Sequence, residues 1–382
     1  MHRAAPQESL LFDECSLDCD DTPLVLDRRE LLDTILRLRQ VESMLPLRIA
    51  IGEFQQRVRK LANGMAGTDA EQEVAESVTI EARYLLADLQ QVSDSRSVER
   101  ARYYLDRLAR SITEVKTNGI NDINLNRWKE YDDVYTDSLW VVERRDNSGV
   151  HTAGYWGNFI PQIPNQMIKR YTRKGEWVLD AFVGCGTTLI ESQRLGRNGI
   201  GIELQDSIAS RARELVAAEP NLQGVCSEVV TADCTLVDYK SILQACAQSS
   251  VQLLIMHPPY FDIIKFSDDP RDLSNAGSVN RFLERLSQAV DNAASVLDAG
   301  RYFALVIGDK YAAGEWIPLG FLAMDQVRQH GFGLKSVIVK NFEDTTAKRS
   351  QTDLWRYRAL AGGFYVFKHE YVFVFHKKRG AR

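Results

Sequence analysis

The densest chemistry in this chain lies in WVLDAFVGCGTTLIESQRLGRNGIGIEL, residues 177–204. An apolar run ends in an acid, Asp180, and Gly184 and Gly186 follow it. Glycines so placed allow a tight turn and a close approach of the main chain to a ligand. Thr187 and Thr188 then open a helical stretch that stops at Gly196, and a second apolar run ends at Glu203. A glycine turn after one strand, with an acid after the next, is the geometry of a nucleoside site in which the acid grips two ribose hydroxyls. Three ligands compete for it. A dinucleotide wants a glycine where Leu189 stands, and a P-loop wants a lysine after Gly186; neither is present. S-adenosylmethionine carries no phosphate and needs neither. Further on, the run Val251–Met256 leads directly into His257-Pro258-Pro259-Tyr260, where two prolines stiffen a turn between two rings.

DAFVGCGTT resembles the cofactor motif of the amino-methylating DNA methyltransferases, which modify adenine N6 or cytosine N4. The resemblance implies that S-adenosylmethionine is held by Asp180, Phe182, Gly184, Gly186 and Thr187 around the methionine moiety and by Glu203 at the ribose. GNFIPQIPNQMIKRYT, residues 157–172, is similar to the family's preceding motif and adds Phe159, Pro161 and Asn165. Asp233 occupies the place of an acid or amide facing the adenine amino group. His257, Pro258, Pro259 and Tyr260 resemble the catalytic tetrapeptide, in which Asp, Asn or Ser precedes Pro-Pro-aromatic. An exocyclic amino nitrogen is a poor nucleophile because its lone pair is delocalised into the ring. Two acceptors, the first side chain and the first proline carbonyl, pull it toward a tetrahedral form, and the aromatic stacks on a base taken out of the helix. His257 departs from the family's pattern. A neutral imidazole still offers one acceptor nitrogen, so the role survives, but the target base is left open. Methylation of RNA and a catalytically silent regulatory homologue are the competing readings.

These motifs require particular elements beneath them. Short apolar runs at Glu176–Asp180, Gly199–Glu203, Val229–Ala232, Val251–Met256 and Tyr302–Ile307 alternate with helical stretches, which predicts a doubly wound, mostly parallel sheet. Lys335–Lys340 and Glu370–His376 read as an antiparallel hairpin at its edge. The long loop between them interleaves Lys348, Arg349, Arg356 and Arg358 with Trp355, Tyr357, Phe364 and Tyr365, a composition suited to phosphates and bases. Lys348, Arg349, Trp355, Arg356 and Arg358 are its candidate nucleic-acid contacts. Lys265 and Arg271, in a stretch after the tetrapeptide that could cover a base, are two more, and Gly308-Asp309-Lys310 is a further pocket candidate. The fold class expected is therefore α/β, Rossmann-like of the methyltransferase kind, with a C-terminal antiparallel hairpin and an N-terminal all-α domain.

That N-terminal region comprises a flexible, acidic lead over 1–26 and a helical domain over 27–120, with the methyltransferase domain over 121–382. Apolar spacing predicts helices after Asp27, across Ile49–Leu61, from a Thr68 cap to about Gln91, and from a Ser95 or Ser97 cap. Such a bundle serves packing, homo-oligomerisation, a partner protein or nucleic acid, and residues 1–120 carry no family resemblance. The 382 residues are 45% hydrophobic and 26% charged, with no apolar run long enough for a bilayer and no export signal, so a cytoplasmic setting is expected. Six scattered cysteines complete no zinc pattern, and no metal is expected. The net charge of −5 argues against a nonspecific nucleic-acid coat. It is uneven: residues 335–382 hold 11 Lys+Arg against 4 Asp+Glu, leaving −12 for the rest. DNA is the partner implied, within restriction-type self-marking, and RNA is the alternative.

Overall fold

Residues 22–64, 76–151, 157–342 and 352–380 are described by the computed structural model. They fall into two compact units, one running up to Lys116 and including Asn124–Tyr131, the other comprising Thr117–Ile123 and everything from Asp132 onward.

The first unit holds β1 (Pro23–Asp27), α1 (Arg28–Gln40), α2 (Met44–Ala62), β2 (Ser77–Glu81), α3 (Ala82–Ser93) and α4 (Val98–Thr113). Asp27 starts α1 by accepting the main-chain N–H groups of Arg29 and Glu30 at 2.8 and 2.9 Å, and Ser97 caps α4 through Arg100 N. Pro46 sits in the first turn of α2, where its missing N–H has no helical partner to lose. The helices bury Ile35, Leu47, Ile51, Leu85, Leu89 and Leu105 in one core. Two expectations are corrected here. The unit is not all-α, because β1 and β2 pair antiparallel from Pro23↔Glu81 to Asp27↔Ser77. The third helix begins at Ala82, since Ser77–Glu81 is extended and turns Ile80 inward; Thr68 lies outside the described residues. Of the lead over 1–26, only its last residues are described, and Pro23–Leu26 belong to β1.

The second unit is an eight-stranded sheet with its helices. In chain order it runs β3 (Leu139–Trp140), α5 (Gln162–Tyr171), β4 (Trp177–Asp180), α6 (Thr187–Arg194), β5 (Asn198–Glu203), α7 (Asp206–Ala218), β6 (Ser227–Thr231), α8 (Tyr239–Ala245), β7 (Val251–Met256), α9 (Val279–Ala294), β8 (Leu297–Ile307), β9 (Lys310–Ala312), β10 (Glu315–Ile317), α10 (Leu319–Gln329), β11 (Phe332–Asn341), α11 (Thr352–Gly362) and β12 (His369–Lys377). The strand order is β3-β11-β12-β8-β7-β4-β5-β6. Within this sheet all pairings are parallel except β11–β12 and β12–β8, and β9 and β10 pair antiparallel in a separate two-stranded ribbon. Strands that alternate with helices and bury both faces are the reason for the continuous apolar runs. Along β12, Tyr371, Phe373 and Phe375 enter the core on one face, and Val372 and Val374 enter the core on the other.

The strand order reverses between β4 and β7, and a crevice opens there at the carboxyl ends of the strands. The turn after β4 is pressed onto β5: Val183 N–H donates to the Ile202 carbonyl at 2.9 Å, and only a glycine fits opposite it. A Cβ on Gly201 would lie 2.5 Å from Val183 Cγ2 and 2.7 Å from its Cβ, a stiff neighbour that cannot swing aside. Among the described residues, no helix is long and apolar enough to cross a membrane. Gly201→Ala should cost about 1–3 kcal/mol by overpacking, read as an earlier denaturant midpoint. An unchanged midpoint would mean the turn is not held against β5.

Candidate active site

One cavity of about 1460 Å³ occupies the crevice. Its walls take in the turn after β4 (Ala181–Gly184), the end of β5 (Glu203), Asp233 after β6, and the whole of His257-Pro258-Pro259-Tyr260 after β7. Gly308-Asp309-Lys310 after β8 and parts of the long β11–β12 connection, including Trp355, Tyr357 and Arg358, complete it.

At one end, Glu203 is buried, and its carboxylate accepts Gln205 N–H at 2.9 Å. Burial pushes its carboxyl up, while main-chain N–H groups of Gln205, Gly184 and Leu204 act the other way. Asp233 spends Oδ1 on the N–H and hydroxyl of Thr235, at 2.9 and 2.7 Å, and lines the cavity beside it. Phe182, Ile202 and Leu204 supply apolar wall between these acids. A buried carboxylate at a strand end beside an apolar slot matches a ribose diol next to an adenine ring, so the donor set fits a nucleoside cofactor.

Other residues in the motif brace the site without reaching the cavity. Asp180 is fully buried, and its two oxygens take Thr188 Oγ1 at 2.5 Å and Phe182 N at 2.9 Å. Burial pushes this carboxyl up to about 6 against those hydrogen bonds. Gly186, at φ +88°, caps α6, and Thr187 donates to Asn158 Oδ1 at 2.7 Å, fixing a residue that does line the cavity. Pro161 caps α5, and Asn165 donates to Glu191 at 2.7 Å in a buried cluster with His151. Phe159 lines the cavity and lies against the ring of His257, centroid to centroid 4.8 Å.

The tetrapeptide carries a chain of contacts that its own sequence does not announce. His257 Nε2 lies 3.0 Å from Tyr260 Oη, Tyr260 Oη donates to Glu370 Oε2 at 2.8 Å, and Lys340 Nζ donates to Glu370 Oε1 at 3.0 Å. Burial pushes the Tyr260 phenol well above its usual value, and the Glu370 carboxylate adds to that. Burial also works to raise Glu370, yet the Lys340 ammonium, then His257 and the hydrogen bonds from Tyr260 and Lys340, hold it below the usual carboxylate value. His257 keeps some surface toward the cavity, but dense packing around it pushes its pKa down to about 4. Lys340 and Glu370 were not singled out from the sequence. Their one signal was a charge directly beside an apolar run in each strand, Lys340 after VIV and Glu370 before YVFVF.

The candidate nucleic-acid residues divide. Trp355 and Arg358 line the cavity, the guanidinium 5.2 Å over the indole, whereas Arg356 is exposed away from it. Arg271 lines the cavity with its guanidinium on Asp269 at 2.6 Å; Lys265 lies outside it and pairs with Asp268 at 2.5 Å. Lys348 and Arg349 lie outside the described residues. Among the described residues, no cluster of His, Cys, Asp and Glu could hold a metal ion.

With this geometry in view, known proteins supply a match. A family model described as DNA methylase, of the N6/N4 type, matches residues 87–214. It takes in the glycine turn and Glu203, starts inside the helical unit that showed no family resemblance, and stops short of the tetrapeptide. The Type II methyltransferase M.MthZI of Methanothermobacter thermautotrophicus is 37% identical over 93 residues, 23% of this chain and 25% of that protein. M.MjaII of Methanocaldococcus jannaschii is 41% identical over 73 residues, 19% of this chain and 13% of that one. M2.DpnII of Streptococcus pneumoniae is 33% identical over 99 residues, 25% of this chain and 34% of that one. The chain thus aligns with about a third or less of each relative's length.

The depressed pKa of His257 has a measurable consequence. Folded, the ring resists a proton until about pH 4; unfolded, it accepts one near 6.5. The unfolded state therefore binds the extra proton between those values, and stability drains away as pH falls through that window. His257→Asn lacks the group, so between pH 7 and pH 4.5 it should lose roughly 2–3 kcal/mol less than the parent chain. Equal losses in denaturant titrations would put the ring in solvent.

Proposed function

We propose, from the chain's membership of the amino-methylating DNA methyltransferase family, that it methylates an exocyclic amino group, adenine N6 or cytosine N4, in DNA. The observation that carries this reading is the single cavity that joins Glu203 and Asp233 at one end to His257, Pro258 and Tyr260 at the other. The family's cofactor, S-adenosylmethionine, supplies an electrophilic methyl group when bound.

Glu203 holds the ribose and Asp233 the adenine amino group, with Phe182 and Leu204 as apolar walls. The base enters from the side of Trp355 and Arg358, extruded from its helix. Neutral His257 and the Pro258 carbonyl accept the two hydrogens of the target amine and free its lone pair. Two acceptors already in place need little reorganisation as charge develops. The freed lone pair would then take up the methyl group that the bound cofactor supplies, the carbon–sulfur bonding pair remaining with sulfur. The methylated nitrogen sheds one proton, which the imidazole takes and passes to water. At pH 5–8 a ring with a pKa near 4 is almost wholly an acceptor, so its protonation does not limit the step.

Two measurements bear on this. The first is methyl transfer from labelled cofactor to mixed DNA and RNA, followed by nucleoside mass spectrometry. N6-methyladenine or N4-methylcytosine in DNA is expected. Label confined to RNA, or none, overturns the reading. In the same preparation Glu203→Ala should weaken cofactor binding by roughly ten- to a hundredfold in calorimetry, the worth of hydrogen bonds to a charged group. The second is the salt dependence of DNA binding. Replacing Arg356 and Arg358 together with alanine should flatten it by about one unit of log–log slope for each phosphate these side chains neutralise. An unchanged slope would mean that this segment only covers the cavity.

A further inference from the structure

We propose that Lys340, Glu370 and Tyr260 form a buried relay whose task is to fix the tautomer of His257, leaving Nδ1 as the acceptor that the target amine meets. The role given to Nδ1 rests on the methyl-transfer reading above; the tautomer does not.

Lys340 and Glu370 face each other directly in the β11–β12 register and are 5% and 8% exposed. Burying such a pair costs several kcal/mol per ion before attraction returns any of it, and two apolar side chains would hold a hairpin as well. The charges therefore call for a reason outside hairpin stability. Their hydrogen-bonding capacities supply one. An ammonium only donates, and an ionised carboxylate only accepts. Glu370 Oε2, 2.8 Å from Tyr260 Oη, must take the tyrosine's hydrogen. With that hydrogen committed, Tyr260 Oη can only accept from its other neighbour, His257 Nε2, at 3.0 Å. Nε2 then carries the ring's single proton, and Nδ1 carries the lone pair. Nδ1 has no hydrogen-bond partner among the described residues, and the ring belongs to the cavity wall. Phe159, its plane 31° from that of the imidazole, limits how the ring turns.

The relay answers a problem specific to this chain. An Asp, Asn or Ser at the head of the tetrapeptide offers an oxygen acceptor without further help. A histidine offers one at a chosen nitrogen only when something decides where its proton sits. Here the decision originates in β11 and β12, 83 to 113 positions further along the chain. Tyr260, Glu370 and Lys340 are in this sense positioning residues for His257.

Nitrogen-15 correlation spectra of histidine-labelled full-length protein, without cofactor, read the tautomer directly. The Nε2–H form is expected in the parent chain. In Glu370→Gln, the amide oxygen takes Lys340 and the NH2 donates to Tyr260 Oη, whose hydrogen turns to Nε2; the ring should switch to Nδ1–H. The same substitution should lower kcat by about a hundredfold or more while KM for the cofactor barely moves. In a His257→Asn background it should cost almost nothing further, because the asparagine oxygen needs no relay. If Glu370→Gln does not fold, Tyr260→Phe keeps the charge pair and the ring, and its spectra should lose the single tautomer. An Nδ1–H ring in the parent chain, or losses that add fully in the double variant, would overturn the relay. The expected tautomer with no methylation of any nucleic acid would instead sink the functional reading, and with it the role of Nδ1.

Discussion

The parallel pairing of β4 with β7 is the constraint from which the site hangs. These strands are neighbours in space but lie on opposite sides of the strand-order reversal, so nothing crosses over the sheet at their carboxyl ends. Asp180 pairs with Ile255, and Ala181 N–H reaches the Ile255 carbonyl at 3.3 Å, just beyond the point where β4 stops. The glycine turn and the tetrapeptide therefore leave the sheet side by side at the same height. A one-residue slip of either strand would turn its residues to the opposite face of the sheet. The cavity is a consequence of this register more than of any single side chain.

Charge is then tolerated in the surrounding core only where hydrogen bonds take it up. Asp180, buried at the end of β4, is met by a hydroxyl and a main-chain N–H and stiffens the turn it begins. Asp309, at the end of β8, accepts Trp316 Nε1 at 2.9 Å and Gly320 N at 2.8 Å, tying β10 and α10 to the cavity wall. Glu203 differs: beyond the Gln205, Gly184 and Leu204 N–H groups it still faces the cavity, so it keeps acceptor capacity for a ligand. Conserving geometry and receiving a ligand are thus divided between two acids that look alike in the sequence.

That division marks the limit of what the residues disclose by themselves. The order of strands and helices in the second unit was legible because both-face burial writes continuous apolar runs, and the glycine turn because its chemistry is local. What depended on a distant partner was not. Thr188 claims Asp180, Glu191 claims Asn165, and no local pattern distinguishes such a carboxylate or amide from one aimed at a ligand. The β1–β2 ribbon pairs segments some fifty positions apart, and each reads by itself as the approach to a helix. Lys340 and Glu370 become partners only once the β11–β12 register is fixed across the long connection.

The same dependence on register explains how a histidine can stand at the head of the tetrapeptide. An oxygen acceptor carries its function with it, whereas an imidazole carries only the potential for it. The missing specification has to come from a neighbour whose own donor and acceptor roles are not in doubt, and the lysine–carboxylate pair is such a neighbour. The antiparallel hairpin, flanked by the short edge strand β3 on one side and β8 on the other, is the element that delivers this pair to Tyr260. It also frames the connection whose Trp355 and Arg358 wall the cavity. One hairpin thereby carries both the settings of the acceptor and the surface past which a base would arrive, so a change in its register would disturb the two together.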